Sequence, residues 1–218
     1  MWGFKFRIEG LYFTSFRNPL TTSLFKTYLV PPFTTIRGLL SNALGLPRDH
    51  LEIQEWVTIG IKPVNLPEKS REMAKVLKLK GDYNKFTRTF SSSPMFKEFL
   101  VFPSYDIFLG GEEEKIRKII EALKNPVRPL YIGGSDDLVD IKVDEPLQIE
   151  LVKSNEIRGI VGGVQEDAVV EKLPYKFHKR GKKFTLDYKV VSIPKNGVIH
   201  LEESVEAYRF KEEMVWLA

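Results

Sequence analysis

The sequence predicts an α+β fold: a ferredoxin-like βαββαβ core with a projecting basic arm and a β-rich C-terminal part. Three observations carry this. Over residues 1–152, apolar segments of period two alternate with two segments of helical period. A basic stretch without firm period, 68–95, falls between the second and third strands. Residues 153–218 show strand patterns and turn chemistry with no linker before them.

Phe4, Phe6 and Ile8 alternate with Lys5, Arg7 and Glu9, which predicts a strand with one buried face, running on toward Phe16. Arg17–Pro32 is polar and proline-bounded, hence a loop. Thr34 or Thr35 can cap a helix that buries Ile36, Leu39, Leu40, Ala43 and Leu44, and Gly45 with Pro47 stops it. Ile53, Glu55, Val57, Ile59 and Ile61 predict a second strand, ended by Pro63 and Pro67. The arm centres on Lys80-Gly81-Asp82-Tyr83-Asn84-Lys85, which has turn chemistry, so a hairpin is expected. Residues 96–109 are rich in β-formers and predict a third strand. Glu112–Lys124 predicts a second helix with the stripe Ile116, Ile119, Ile120 and Leu123, ended by Asn125-Pro126. Leu138–Val152 supplies a fourth strand, clearest at Leu147, Ile149 and Leu151. This order is the split βαβ pattern shared with RNA-recognition domains. Beyond it, Phe184–Ile193 and Val205–Phe210 are the clearest strands, with a turn at Lys179–Lys182. The expected units are 1–152, including arm 68–95, and a C-terminal region 153–218 packed on it.

A chain of 218 residues buries about 70% of its unfolded surface, enough for a core without staples. There is no cysteine, which excludes disulfides, thiolate metal sites and cysteine nucleophiles. No apolar run reaches the ~20 residues of a membrane span, and Met1–Glu9 reads as a strand rather than a signal peptide. A cytoplasmic protein without membrane partners is expected. Absent Cys with abundant Lys and Glu points to a thermophile.

The net charge of +4 is unevenly spread. Residues 69–97 hold eight basic residues against Glu72 and Asp82, a segment charge of +6. Residues 172–189 hold seven against Asp187 alone, again +6, while 136–171 sums to −7. Two positive segments in a nearly neutral chain suggest a focused surface for a polyanion; solvated Lys-rich loops are the plainer alternative. In the arm, Lys78, Lys80, Lys85 and Arg88 are interleaved with Tyr83, Phe86 and Phe90. Cations hold phosphates while aromatic faces stack on unpaired bases, so this pattern suits single-stranded nucleic acid.

Metal chemistry finds no support in three dispersed histidines, and Asp136, Asp137 and Asp140 read as a solvated strand start. No Walker A, GxGxxG or GxSxG sequence occurs. Gly133-Gly134-Ser135 can bring a backbone close to another backbone or to a phosphate. Metal-free RNA cleavage needs a base, an acid and a cation. Tyr175, Lys176, His178 and Lys179 supply those types, as do Lys26, Tyr28 and His50, but neither set is a motif.

One stretch is more specific: Phe16-Arg17-Asn18-Pro19, then Tyr28-Leu29-Val30-Pro31-Pro32-Phe33-Thr34-Thr35-Ile36-Arg37-Gly38-Leu39-Leu40-Ser41-Asn42-Ala43-Leu44-Gly45-Leu46. It resembles the N-terminal signature of the fifth Cas family of CRISPR-associated proteins, the RAMP subunit of type I Cascade. Leu130-Tyr131-Ile132-Gly133-Gly134-Ser135-Asp136 resembles that family's second marker. The resemblance implies an RNA-recognition-like domain with a thumb between strands two and three, where the basic arm falls. It implies a subunit that holds the repeat-derived 5′ handle of the CRISPR RNA and contacts the backbone RAMP subunit and the large subunit of Cascade, with target DNA as a further partner inside the complex. In one subtype the family cuts the precursor RNA with a Tyr, a Lys and a His and carries an adjacent Lys-His pair. Here only the reversed His178-Lys179 occurs. The expectation is therefore a non-catalytic RNA-binding subunit without cofactor or metal; a metal-independent endoribonuclease and a stand-alone RNA-binding regulator are the alternatives. The residues expected on RNA are Lys26, Thr34, Thr35, Arg37, Gly133 and Gly134, with Lys78, Lys80, Tyr83, Lys85 and Arg88 of the arm. Arg37 is expected off the core face, meeting the RNA backbone at the helix N-terminus or else pairing with a nearby carboxylate.

Overall fold

The computed structural model describes residues 1–21, 24–78 and 91–218, with side chains outside 76–78 and 91–93. The chain runs β1 (Trp2–Gly10), β2 (Phe13–Thr14), β3 (Leu24–Phe25), α1 (Phe33–Ala43), α2 (Ile53–Trp56), β4 (Val57–Pro63), β5 (Glu68–Lys78), β6 (Ser91–Val101), β7 (Ser104–Gly111) and α3 (Glu113–Lys124). It continues through β8 (Val139–Val143), β9 (Leu147–Gln148), β10 (Glu150–Arg158), β11 (Val161–Gly162), β12 (Ala168–Arg180), β13 (Lys183–Pro194), β14 (Val198–Phe210) and β15 (Glu213–Val215). The architecture is mixed α+β and rich in strand. No helix among the described residues is long and apolar enough to cross a membrane.

The central sheet has the order β4-β7-β1-β8, every pair antiparallel, with β9 extending β1's outer edge. Alternation sets its register: Ile61, Ile107, Phe6 and Val143 lie side by side across the four strands. That face is covered by α1 and α3, which bury Ile36, Leu39 and Leu40 and Ile116, Ile119 and Leu123 against Phe4, Phe6 and Ile8. The other face buries Phe108 under Ile149, Phe210 and Val215. A strand covered on both faces shows no clean alternation, which is why Tyr105 and Ile107–Leu109 all have buried side chains. Where charges meet this second face they are paired: Arg7 donates through Nε and Nη2 to Asp106 at 2.7 and 3.1 Å, and Lys62 to Glu213.

Several elements depart from the sequence expectation. The first strand ends at Gly10, whose N–H donates to Pro103 O, rather than running toward Phe16. The helix begins directly after Pro32, with no side-chain cap; Thr34 and Thr35 lie inside it, and the N–H groups of Thr35 and Ile36 both donate to Pro32 O. Residues 53–56 form the helical turn α2, so the second strand starts only at Val57. The expected strand 96–109 is two strands of different sheets. They separate at Phe102-Pro103, where Phe102 takes a φ of +43° and donates its N–H to Tyr12 O. The expected strand 138–152 is three pieces. Pro146 has no N–H and interrupts the ladder; β8 ends at Val143, β9 resumes the same edge of β1 after the proline, and β10 leaves to pair with β14. Leu151 is consequently exposed.

The segment between β3 and α1 is the least expected part. Read as a polar loop, it is buried from Thr27 to Pro32. Buried backbone needs partners, and side chains from four elements provide them. Thr27 N–H donates to Glu98 of β6 at 3.3 Å, and Lys69 of β5 donates to Thr27 O at 2.9 Å. Leu29 N–H donates to both oxygens of Glu171 of β12, at 3.0 and 3.2 Å. Tyr105 of β7 donates its hydroxyl to Leu29 O at 2.7 Å. Removing that donor with Tyr105→Phe strands a buried carbonyl and is expected to cost about 1–3 kcal/mol, read as a lower denaturant midpoint at unchanged slope.

Burial also pushes the Glu171 carboxyl up, against the lowering pull of Leu29 N–H and Lys69. A carboxyl held up in the folded state keeps its proton where the unfolded chain has already ionised. Its contribution to stability is therefore full below the ordinary glutamate pKa of about 4.3 and lost as pH rises through the folded value. Glu171→Gln keeps an acceptor for Leu29 and removes the ionisation, so its stability should show a smaller fall across that window than the wild type. Identical pH profiles for the two proteins would contradict this.

A candidate nucleic-acid interface

Pro31 and Pro32 fix extended backbone, with Pro32 at φ −55° and ψ 151°, and helix α1 starts at once. Its first turn carries no carboxylate and its N-cap offers no side-chain acceptor. The positive end of the helix, with the N–H groups that precede the first intrahelical bonds, therefore has no acid or cap of its own. It opens on a cleft of about 710 Å³, lined by Thr34 and Thr35, by Arg17 and Phe25, by Lys97 of β6, and by the loop Gly133–Asp137. Phe177 of β12 and Leu186 of β13 close its far side.

Asp137 builds the glycine loop. Its Oδ2 accepts the N–H of Gly134 at 2.9 Å and the N–H of Ser15 at 3.2 Å. The loop is thereby pinned to the segment after β2. Gly133 sits at a φ of +80°, and a Cβ there would fall 2.7 Å from Ser15 O and from Asp137 Oδ2. The close approach that the two glycines permit is thus to the backbone of Ser15. Asp137, read from sequence as part of a solvated strand start, is the loop's internal acceptor. Arg17 lies over the Phe25 ring at 4.1 Å, so a cation and an aromatic face share one wall of the cleft.

Of the residues expected on RNA, Thr34, Thr35, Gly133 and Gly134 come together here, from two segments about a hundred residues apart. Lys26 is exposed and lies outside the cleft lining. Of Lys78 only the backbone is described, at the end of β5. Lys80, Tyr83, Lys85 and Arg88 lie outside the described residues.

Arg37 is a correction. It is 3% exposed rather than free on the surface. Its Nη1 donates to Tyr175 O and the Tyr175 ring lies 5.1 Å from its guanidinium carbon, while Nε and Nη2 are buried without a partner. Burial pulls its pKa below the ordinary arginine value, with Tyr175 and Glu55 opposing. The physical reason is a second covering layer: β12 packs on the flank of α1 that the helical stripe leaves outside. Arg37 clamps the bulge in β12 between Pro174 and Lys176. Gln54 adds to the clamp, accepting Phe177 N–H at 2.7 Å and donating to Phe177 O at 3.1 Å, and Lys176 pairs with Glu55 at 2.9 Å, which holds the Glu55 carboxyl down.

The catalytic types do not converge. Tyr175 and Lys176 are engaged at this clamp, and His178 Nε2 lies 2.6 Å from Asp187 Oδ2 and does not line the cleft. In the other set, the Tyr28 hydroxyl is buried without a partner and pushed by burial to about 12, while His50 packs edge-on to Trp56. Among the described residues no three His, Asp or Glu side chains are grouped to hold a metal ion. The cleft residues missed in sequence are Lys97, Phe25, Phe177 and Leu186. Lys97 enters the sequence reading only through the +6 charge of 69–97, and nothing local marks the other three as neighbours of Gly133.

Residues 3–185 match the profile of a family described as CRISPR-associated protein (Cas_Cas5). No curated relative matches the chain. Among solved structures, one described as a CRISPR RNA-guided surveillance complex contains a chain similar at a TM-score of 0.59 and 14% identity, covering 94% of this chain and 91% of that one. A CRISPR protein from Archaeoglobus fulgidus is similar at 0.57 and 15% identity over 99% and 98% of the two chains. A chain of a type III-B Cmr-beta complex bound to cognate target RNA and AMPPnP is similar at 0.51 and 10% identity over 90% and 86%. At these identities the likeness is one of fold.

The glycine loop gives a paired test. Gly133→Ala places a Cβ against Ser15 and strains a left-handed backbone, an expected loss of about 1–3 kcal/mol. At Gly134 a Cβ would meet nothing nearer than 3.4 Å, and Gly134→Ala is expected to stay within about 0.5 kcal/mol of wild type. Thermal denaturation of the two variants side by side checks the difference.

Proposed function

Because the chain belongs to the CRISPR-associated Cas5 family, we propose that it is the CRISPR RNA-binding subunit of a type I Cascade complex, holding the repeat-derived 5′ handle in the cleft at the N-terminus of α1. The observation that carries this reading is the meeting of the Pro-Pro-Phe-Thr-Thr helix start with the Gly133-Gly134 loop in one cleft. A helix N-terminus with no acid or cap of its own suits a phosphate, and Arg17 over Phe25 suits a phosphate beside a base.

We read the core as ferredoxin-like. The support is the sheet order, second-third-first-fourth of the four main strands, with α1 and α3 as the two crossovers on one face. The β5–β6 hairpin then stands where the thumb of such a subunit would be, between the second and third strands. Its residues Lys78, Lys80, Lys85, Arg88 and Tyr83 belong to the proposed grip on the grounds of sequence. The backbone RAMP subunit and the large subunit are the proposed protein partners, with target DNA reached through them. A non-catalytic role is favoured over an endoribonuclease by the engagement of His178 with Asp187 and by the buried Tyr28 hydroxyl.

The test is a titration of the full chain with labelled repeat RNA at several salt concentrations. The RNA should be bound and recovered intact. Arg17→Ala with Lys97→Ala should weaken binding at low salt and reduce the salt slope by about 1.4, from two lost single-strand phosphate contacts. Discrete cleavage products would replace this reading with the endoribonuclease. An unchanged slope in the double variant would remove the cleft as the site.

A further inference from the structure

Residues 172–189 form the second basic segment of the chain, and the cleft as read above uses only Pro174, Phe177 and Leu186 of it. In the structure it is the distal half of the β12–β13 hairpin. The two strands stay paired from Ala168↔Pro194 to Arg180↔Lys183, and Gly181, at a φ of +60°, turns the tip. Every residue from Phe177 to Thr185 is exposed.

The register gives this ribbon two different faces. Phe177↔Leu186 and Lys179↔Phe184 share one face; His178↔Thr185 and Arg180↔Lys183 share the other. Phe177 and Leu186 line the cleft, so the aromatic face is the one that continues the cleft wall outward. Phe177 is 37% exposed and Phe184 44%, although a two-stranded ribbon gains little by leaving such rings in water. At the tip, Lys179, Arg180, Lys182 and Lys183 stand together without an acid, and Arg180 directly faces Lys183. Like charges facing across a ladder destabilise it, and a polyanion removes that penalty. The root is fixed by Arg37 on Tyr175 O and by the two bonds from Gln54 to Phe177. The ribbon is therefore held in one direction before any ligand arrives.

We propose that the β12–β13 hairpin is a second arm of the interface, on which unpaired bases of a single strand leaving the cleft stack against Phe177 and Phe184 while Lys179 on the same face holds its phosphates, with Arg180, Lys182 and Lys183 taking them where the strand passes around the tip. The inference rests on the cleft being an RNA site and adds the strand's path and its single-stranded character. Exposed ring faces are what single out an unpaired strand: a duplex keeps its base faces stacked on one another, and offers this arm only phosphates.

The experiment uses the full chain with a labelled oligouridylate, an RNA duplex of equal length and polyglutamate. Phe184→Ala should weaken oligouridylate binding by about tenfold with the salt slope unchanged. Phe184→Trp should retain binding, its emission quenched as the strand stacks. The triple variant Arg180→Ala, Lys182→Ala, Lys183→Ala should reduce the slope by about 2. Duplex binding should not respond to Phe184→Ala. Wild-type affinity in Phe184→Ala, or an equal loss for the duplex, overturns the stacking arm. Polyglutamate bound as tightly as oligouridylate overturns it in favour of an acidic protein partner. If Arg17→Ala with Lys97→Ala weakens binding while Phe184→Ala does not, the cleft stands and the arm falls. If wild-type protein binds no RNA, both fall.

Discussion

The segment from Thr27 to Pro32 has neither helix nor strand to satisfy its backbone, yet it crosses the interior of the protein. Buried polar groups need partners: Tyr28 N–H donates to Phe16 O, and side chains meet the groups of Thr27 and Leu29. Glu98 and Lys69 reach it from the β5–β6 hairpin, Tyr105 from the central sheet and Glu171 from β12. These three units are otherwise separate hydrogen-bonded sheets. They share one apolar core, and the buried loop adds polar ties from all three to a single segment. Burying carboxylates costs free energy, but leaving Thr27 and Leu29 without partners costs more. Arg71 at 3.0 Å from Glu98 and Lys69 at 3.8 Å from Glu171 reduce that cost.

The same loop, buried through Pro31-Pro32, leads straight into α1, and so decides where the helix's first turn, with half-buried Thr34 and Thr35, opens. Everything proposed for RNA depends on that placement. The helix end, the glycine loop held by Asp137, and the wall of Arg17 and Phe25 are all within a residue or two of groups the loop anchors: Phe16 N–H donates to Thr27 Oγ1, and Ser15 donates its N–H to Asp137 and its hydroxyl to Glu98 O.

Charge is divided between segments of the chain. The basic segment 172–189 belongs to the β12–β13 hairpin, while the acidic stretch 136–171 runs from the glycine loop through β8 to β11 and into β12. The two signs are not wholly separated, because Asp136 and Asp137 of the acidic stretch line the cleft itself. Long-range steering depends on where charges sit and little on the net +4.

Elements whose burial is one-sided and local are legible in the residues themselves. Phe4, Phe6 and Ile8 specified β1, the stripes of α1 and α3 specified both helices, and Lys179–Lys182 specified the hairpin turn, because period and turn chemistry report a single covering neighbour. The resemblance carried by residues 16–46 and 130–136 marked both segments that meet in the cleft. Tertiary structure alone decided the rest. Residues 96–109 read as one strand because the exchange of sheets at Phe102-Pro103 leaves no periodic trace. Arg17–Pro32 reads as a polar loop, and the burial of 27–32 leaves no local trace because the side chains that meet its backbone are 42 to 142 residues away. Arg37 read as free because helical spacing shows the face turned to the sheet, and not the second layer that closes over its flank. Phe177 and Leu186 joined the site for the same reason: which distant surface covers a given side chain is set by how layers pack, and a single strand's own residues carry no record of it.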